Sequence, residues 1–148
     1  METKKSIQIS FIILLIMTIL ALVYGFLAMI KPDFFVARSF QLYMGQSWCD
    51  HLSASPVLAN YILILERMAG GNGFAVSIGG LFVLFTAFKK VEKWAWFFIA
   101  AVSIIGWVNV LIGNIAFKNP ITITVIIIGL VLLVIGLIIP AKDFLGKK

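Results

Sequence analysis

A chain of 148 residues in which 62% are hydrophobic and 12% charged, with a mean hydropathy of +1.12, is excluded from the soluble globular class. The formal charge of +6 argues against nucleic acid by its placement, because the twelve Lys and Arg stand mostly at the ends of apolar segments rather than in one stripe. A single cysteine, Cys49, rules out an intrachain disulfide, and with the single histidine, His51, it falls short of a zinc set.

A hydrocarbon core of about 30 Å needs about 20 helical residues per crossing, so the chain fits one domain, residues 1–148, of four spans with short connections. The expected class is all-α: a four-helix transmembrane bundle with a short interfacial helix between the first two spans. Residues 1–5 are basic. The apolar run Ile7 to Ile30 is too long for a secretory signal and reads as a retained first span, TM1, over about residues 7–30. Lys31 and Pro32 stop it.

Residues 33–55 form the longest connection, in which Phe34, Phe35, Phe40, Tyr43 and Trp48 are spread among Arg38, Gln41, Asp50 and His51. A structureless loop of that length is uncommon, so the pattern predicts a short helix from Asp33 to Met44, ended by Gly45 and lying in the membrane interface. The aromatics read as an interfacial belt, and Cys49 as a half-buried thiol.

Pro56 suits the first turn of the next helix. TM2 spans about residues 57–88, and its 32 residues would be about 48 Å long, about 18 Å more than the hydrocarbon needs. Counting back from Lys89 puts Glu66 and Arg67 at the outer hydrocarbon edge. Gly70, Gly73, Ser77 and Gly80 share one face, which Glu66 continues, and this face is expected to pack on TM3. Asn72 and the glycines around it are alternatively a kink.

Trp94 and Trp96 anchor the start of TM3, about residues 94–117, where Gly106, Asn109 and Gly113 form a small face suited to TM2. TM4, about residues 121–139, follows Pro120 and ends at Pro140; with Gly129 and Gly136 seven apart, it is expected to turn most of its circumference to lipid. Gly80→Leu should then do more damage than Gly129→Leu. Eight Lys and Arg on the side of the termini and the TM2–TM3 turn, against four on the other, favour cytoplasmic termini in a multi-pass protein of the cell membrane.

The outer side collects the candidate site residues: Glu66, Arg67, Asn72, Asn109, Asn114, His51 and Trp48. Glu66 and Arg67 point about 100° apart, so each needs another partner, with Asn109, Asn114, Asp33 and Arg38 as the choices. One reading is a helix lock in a structural or accessory subunit, assembled with itself or another membrane protein in the lipid bilayer. A second is an outward-facing pocket for a lipid, quinone-like or other hydrophobic small molecule. A small transporter is a third, although the ionisable residues lie at the span edges. Acid–base catalysis by Glu66 with His51 would need proximity that spacing does not supply. No Rossmann, P-loop or HExxH pattern is present, so no cofactor or metal is expected.

The run LILERMAGGNGFAVSIGGLFVLFTAFKKVEKWAWFF, Leu63 to Phe98, places an Arg at the start of the second span, a Gly three or four residues on, further small residues and a basic turn with Trp. In this it resembles the DoxX-like group of small four-helix membrane proteins. The resemblance implies the four-span layout, quinone-linked oxidoreductase subunits in some members, and helix-packing positions at Arg67 and at Gly70 or Gly71.

Overall fold

The computed structural model describes residues 4–146; the remaining residues of the basic N-terminal stretch and of the C-terminal tail lie outside the described residues. Among the described residues the chain is helical throughout, with no strand. The order is α1 (Lys5–Ile30), α2 (Pro32–Met44), α3 (Trp48–Ala54), α4 (Pro56–Val83) with a π-helical turn (Leu84–Phe88), α5 (Lys93–Ala116), α6 (Pro120–Ile138) and α7 (Ala141–Leu145). Four of these are long and apolar enough to cross a membrane, α4 together with its π-turn counting as one. The molecule is a multi-pass, all-α membrane bundle.

Proline sets three of the starts. Pro32, Pro56 and Pro120 each occupy the first helical turn, where the missing N–H costs nothing. Asn119 adds a cap to α6 by accepting from the Thr122 amide. Gly45 ends α2 at φ 71°, and the connection from α2 to α4 then holds a second short helix, α3, that the sequence pattern does not announce. The α4–α5 and α5–α6 connections end their helices in the same way with Val91 at φ 59° and Lys118 at φ 55°. In each, the next residue donates back five positions, Glu92 to Ala87 and Asn119 to Asn114, which closes the helix end without glycine.

The small face of α4 packs on α1 and not on α5. Position by position, Gly80 faces Thr18, Gly73 faces Gly25, and Gly70 faces Ala28 and Met29. An added Cβ on Gly70 would stand 2.6 Å from the Met29 amide nitrogen, and one on Gly25 would stand 2.6 Å from that of Phe74. The two backbones are in contact, as small residues allow in membranes. Hydroxyls on this face spend their donors within their own helices, Ser77 to Gly73 and Thr18 to Leu14. The helix runs unbroken through Gly70 to Gly73, the alternative place for a kink, and its irregularity lies at Leu84–Phe88.

TM4 also departs from expectation. Most of its surface is exposed Ile, Val and Leu, but Gly129 and Gly136 form its packed side. Gly129 lies under the Trp107 ring, where a Cβ would come within 2.5 Å of Cζ3, and Gly136 lies against Ile13 and Leu14. At Gly80 a Cβ would meet only the Thr18 methyl, at 3.4 Å. The order of damage is therefore reversed: Gly129→Leu should lower the thermal stability of purified protein more than Gly80→Leu, because its Cβ overlaps the Trp107 ring and that ring must move, whereas the Cβ at Gly80 meets a methyl group at near-contact distance. Equal melting of the two variants would refute this.

One end of the bundle is densely closed. Ile7, Leu14, Leu84, Phe88, Ala95, Ile99, Leu133 and Phe144 form one core there, and the Phe88 and Phe144 rings lie 4.8 Å apart. Trp96 donates to the Leu137 carbonyl at 3.0 Å, and the Ser10 hydroxyl to that of Gly136, so carbonyls near the end of α6 are covered by side chains from α5 and α1.

The start of α1 and the short α7 meet at this end. The Lys4 ammonium, and after it the Ser6 hydroxyl, hydrogen-bond the Asp143 carboxylate at 2.7 and 2.6 Å and hold it below the usual carboxylate range. A lowered folded-state value means that the clasp stabilises fully above the ordinary Asp value of about 3.9 and is lost as pH falls through the lowered value. The wild-type advantage in thermal stability over Asp143→Asn should thus be flat from pH 7 to about pH 5 and shrink once the pH falls below the ordinary Asp value. The effect is small and weakened by salt, since the Lys4 side chain is 74% exposed. A difference that grows on acidification would contradict this assignment.

Candidate functional site

The excess length of α4 supports a cap. Its first turns supply Ala59, Ile62 and Leu63, on which Val36 and Phe40 of α2 and Trp48 of α3 pack as a second, smaller core. Trp48 is 5% exposed, so it is a core residue of the cap and no membrane-surface anchor. Cys49, next to it, is exposed and not half-buried. Helical spacing puts Trp48 and His51 on one side of α3, and both meet Phe40, at ring distances of 5.1 and 4.5 Å. Trp48 Nε1 and His51 Nε2 are shut off from solvent and have no hydrogen-bond partner among the described residues. Each such atom costs about 1–3 kcal/mol unless something accepts from or donates to it.

Tyr43, at the end of α2, reaches across to Phe117 just beyond the end of α5, with ring centroids 6.1 Å apart. Below that contact α4 and α5 diverge. On α5, Ala95, Ile99, Val102, Gly106, Asn109 and Gly113 follow four-and-three spacing and therefore form a single stripe. Its lower end is buried, Ala95 at 0% and Ile99 at 3% exposure, whereas Gly106 and Asn109 are exposed and a Cβ on Gly106 or Gly113 would meet nothing within 4 Å. The matching stripe of α4 is Asn72, Val76, Gly79 and Val83, again buried at Val83 and open at Asn72, Val76 and Gly79. Gly106, Asn109 and Gly113 thus continue, unfilled, the stripe whose lower end is buried in the core with Leu84 and Phe88, and α4 and α5 do not pack closely along it.

The seven candidate residues do not converge. Asn114 donates to the Val110 carbonyl of its own helix at 2.9 Å. Glu66 is half-buried one turn before Gly70, on the side of α4 that faces α1, and Arg67 is exposed. Among the described residues no side-chain hydrogen bond or ion pair joins Glu66 or Arg67 to Asn109, Asn114, Asp33 or Arg38, the partners expected for them. Trp48 and His51 belong to the cap, and Asn72 and Asn109 to the two walls of the opening. A Cβ added at Gly70 or Gly71 would meet Met29 of α1.

Two features escaped the sequence pattern. The α1 counterpart of the α4 glycine face, Thr18, Gly25 and Ala28, has the same small-residue spacing and was its readable signal. The π-turn has none. No family model, no curated protein and no solved structure matches the chain.

Proposed function

We propose that the chain is an accessory subunit of the cell membrane, with cytoplasmic termini, that receives a transmembrane helix of a partner protein in the opening between α4 and α5. The observation that carries this reading is the α5 stripe, buried at Ala95 and Ile99 and open at Gly106, Asn109 and Gly113. Asn109 lies 16 residues beyond Lys93, about 24 Å along the helix and inside the hydrocarbon, where an amide without a partner is costly. Glycines on both walls let a further helix approach closely, and Asn72 and Asn109 offer it donors and acceptors. The α1–α4 face with Glu66 serves the subunit's own integrity.

A photo-reactive residue at position 109 should form protein adducts in native membranes, while the same residue at Ile104, 42% exposed on the opposite side of α5, should label lipid. Lipid adducts alone at both positions would reject the reading.

A second reading has one specific support, the two unpartnered ring nitrogens of the cap. They suit a hydrophobic ligand carrying a hydrogen-bond acceptor, such as a quinone carbonyl, held from the outer side.

A further inference from the structure

At the end of the bundle where α1 starts and α7 lies, Ile7, Gln8, Phe11 and Ile12 of α1 and Lys89, just beyond the π-turn, line an open groove of about 350 Å³. The Lys89 ammonium stands 4.3 Å from the Phe11 ring centroid and 4.8 Å from that of Phe85, and those two rings meet edge to face at 5.3 Å. A lysine on a membrane-facing helix end ordinarily sweeps through the headgroup layer, and holding it in place costs side-chain entropy. Two aromatic faces offset that cost here and pre-position the charge at the groove. Phe85 lies within the π-turn and Lys89 directly follows it, and such a helix irregularity recurs at functional sites.

The groove is graded along the helix axis. Gln8 and Lys89 supply N–H donors at the rim, one turn inside the start of α1, and Phe11 and Ile12 continue it about 6 Å further toward the hydrocarbon. That order of a cationic, donor-rich rim above an apolar wall complements a glycerophospholipid, whose phosphodiester lies above its acyl chains. The surrounding charge selects among such lipids. Among the described residues Lys89 has no carboxylate within ion-pair distance, while Lys90 and Lys93 add further positive charge nearby and Asp143 is engaged with Lys4. A zwitterionic headgroup brings its own cation into this field, whereas an anionic one does not.

We infer that this groove is a binding site for one anionic glycerophospholipid, with the phosphate on Lys89 and Gln8 and an acyl chain along Phe11 and Ile12. The test uses full-length protein reconstituted in vesicles of equal phosphatidylglycerol and phosphatidylcholine, extracted in detergent and weighed by native mass spectrometry. Wild type should retain one phosphatidylglycerol, at least about fivefold over phosphatidylcholine. Lys89→Gln should reduce that retention about fivefold or more, and Lys89→Arg should keep most of it, showing that charge and not the fold is responsible. Lys90→Gln, one residue on and outside the groove, should leave it unchanged. Equal retention of the two lipids, or equal loss in the Lys90 variant, would overturn the proposal. Displacement of the lipid by millimolar glycerol phosphate would do so as well, because a site read by headgroup alone needs no acyl chain.

Discussion

Adding one methyl group at Gly70 should lower the stability of the purified protein by about 2–3 kcal/mol, although Gly→Ala in an open helix gains about 1 kcal/mol. The sign reverses because the new Cβ would lie 2.6 Å from the Met29 nitrogen and 2.8 Å from the Ala28 carbonyl carbon, which are backbone atoms. A flexible side chain could turn aside. A helix backbone can only retreat as a unit, which separates α1 from α4 along the whole Thr18–Ala28 and Gly70–Gly80 seam. Gly25→Ala should behave alike, since its Cβ would meet Phe74 nitrogen at 2.6 Å and the Gly70 carbonyl oxygen at 2.9 Å. The double variant should cost less than the sum of the two, because one retreat relieves both clashes. Gly106→Ala is the comparison: a Cβ there meets nothing within 4 Å, so the protomer should be unchanged or slightly more stable. Loss of the monodisperse gel-filtration peak on heating measures all four, and equal behaviour of the Gly70 and Gly106 variants would refute the backbone contact.

The helix boundaries were legible because their causes are local. Proline at the first turn of three helices and glycine after Met44 act within a few residues, and the four apolar runs need no partner to be recognised. The pairing of faces was not legible, because a small-residue stripe states that some helix approaches closely and does not state which one. The Gly70 to Gly80 face reads as packing on α5, and it packs instead on Thr18, Gly25 and Ala28 of α1. Gly129 shows the same limit from the other side. An Ile-rich helix with two glycines reads as lipid-facing until the Trp107 ring is seen over one of them.

The candidate site was legible as a collection of outer polar residues and not as an arrangement. Glu66 and Asn114 lie at comparable heights by length counting, but α4 and α5 do not pack closely there, so height carries no information about contact. That looseness has a physical origin in the packing. The large buried side chains, Phe88, Leu84, Ile7 and Leu133, are concentrated at the end where α1 starts and α7 lies, and the α5 stripe changes from Ala95 and Ile99 to Gly106 and Gly113 as it leaves that core. Glycine offers no side chain to bridge the widening gap. The open half of the molecule is therefore built from residues suited to admitting another backbone.

Trp48→Ala should be among the most damaging changes in the cap, with about 3–5 kcal/mol lost and the melting temperature lowered by about 10 °C or more. The indole is 5% exposed and joins α3 to Val36 and Phe40 of α2 and to Ala59 of α4. Its removal leaves a void where the two short helices α2 and α3 meet the start of α4, and none of them is held there by a hydrogen bond from this side chain. Trp48→Phe separates the ring from its N–H. Phenylalanine keeps much of the apolar surface and the contact with Phe40, and it removes a donor whose burial without an acceptor costs about 1–3 kcal/mol. The gain from losing that donor offsets the smaller ring, so Trp48→Phe should melt within a few degrees of wild type. The comparison also decides between the two functional readings. If an acceptor from a bound hydrophobic ligand satisfies Nε1 in the lipid-purified protein, Trp48→Phe should instead fall nearly as far as Trp48→Ala, and the ligand seen by native mass spectrometry in wild type should be missing from it. Mild loss in phenylalanine with no change in retained molecules leaves the cap as a clamp on α4 and assigns partner binding to the α4–α5 opening.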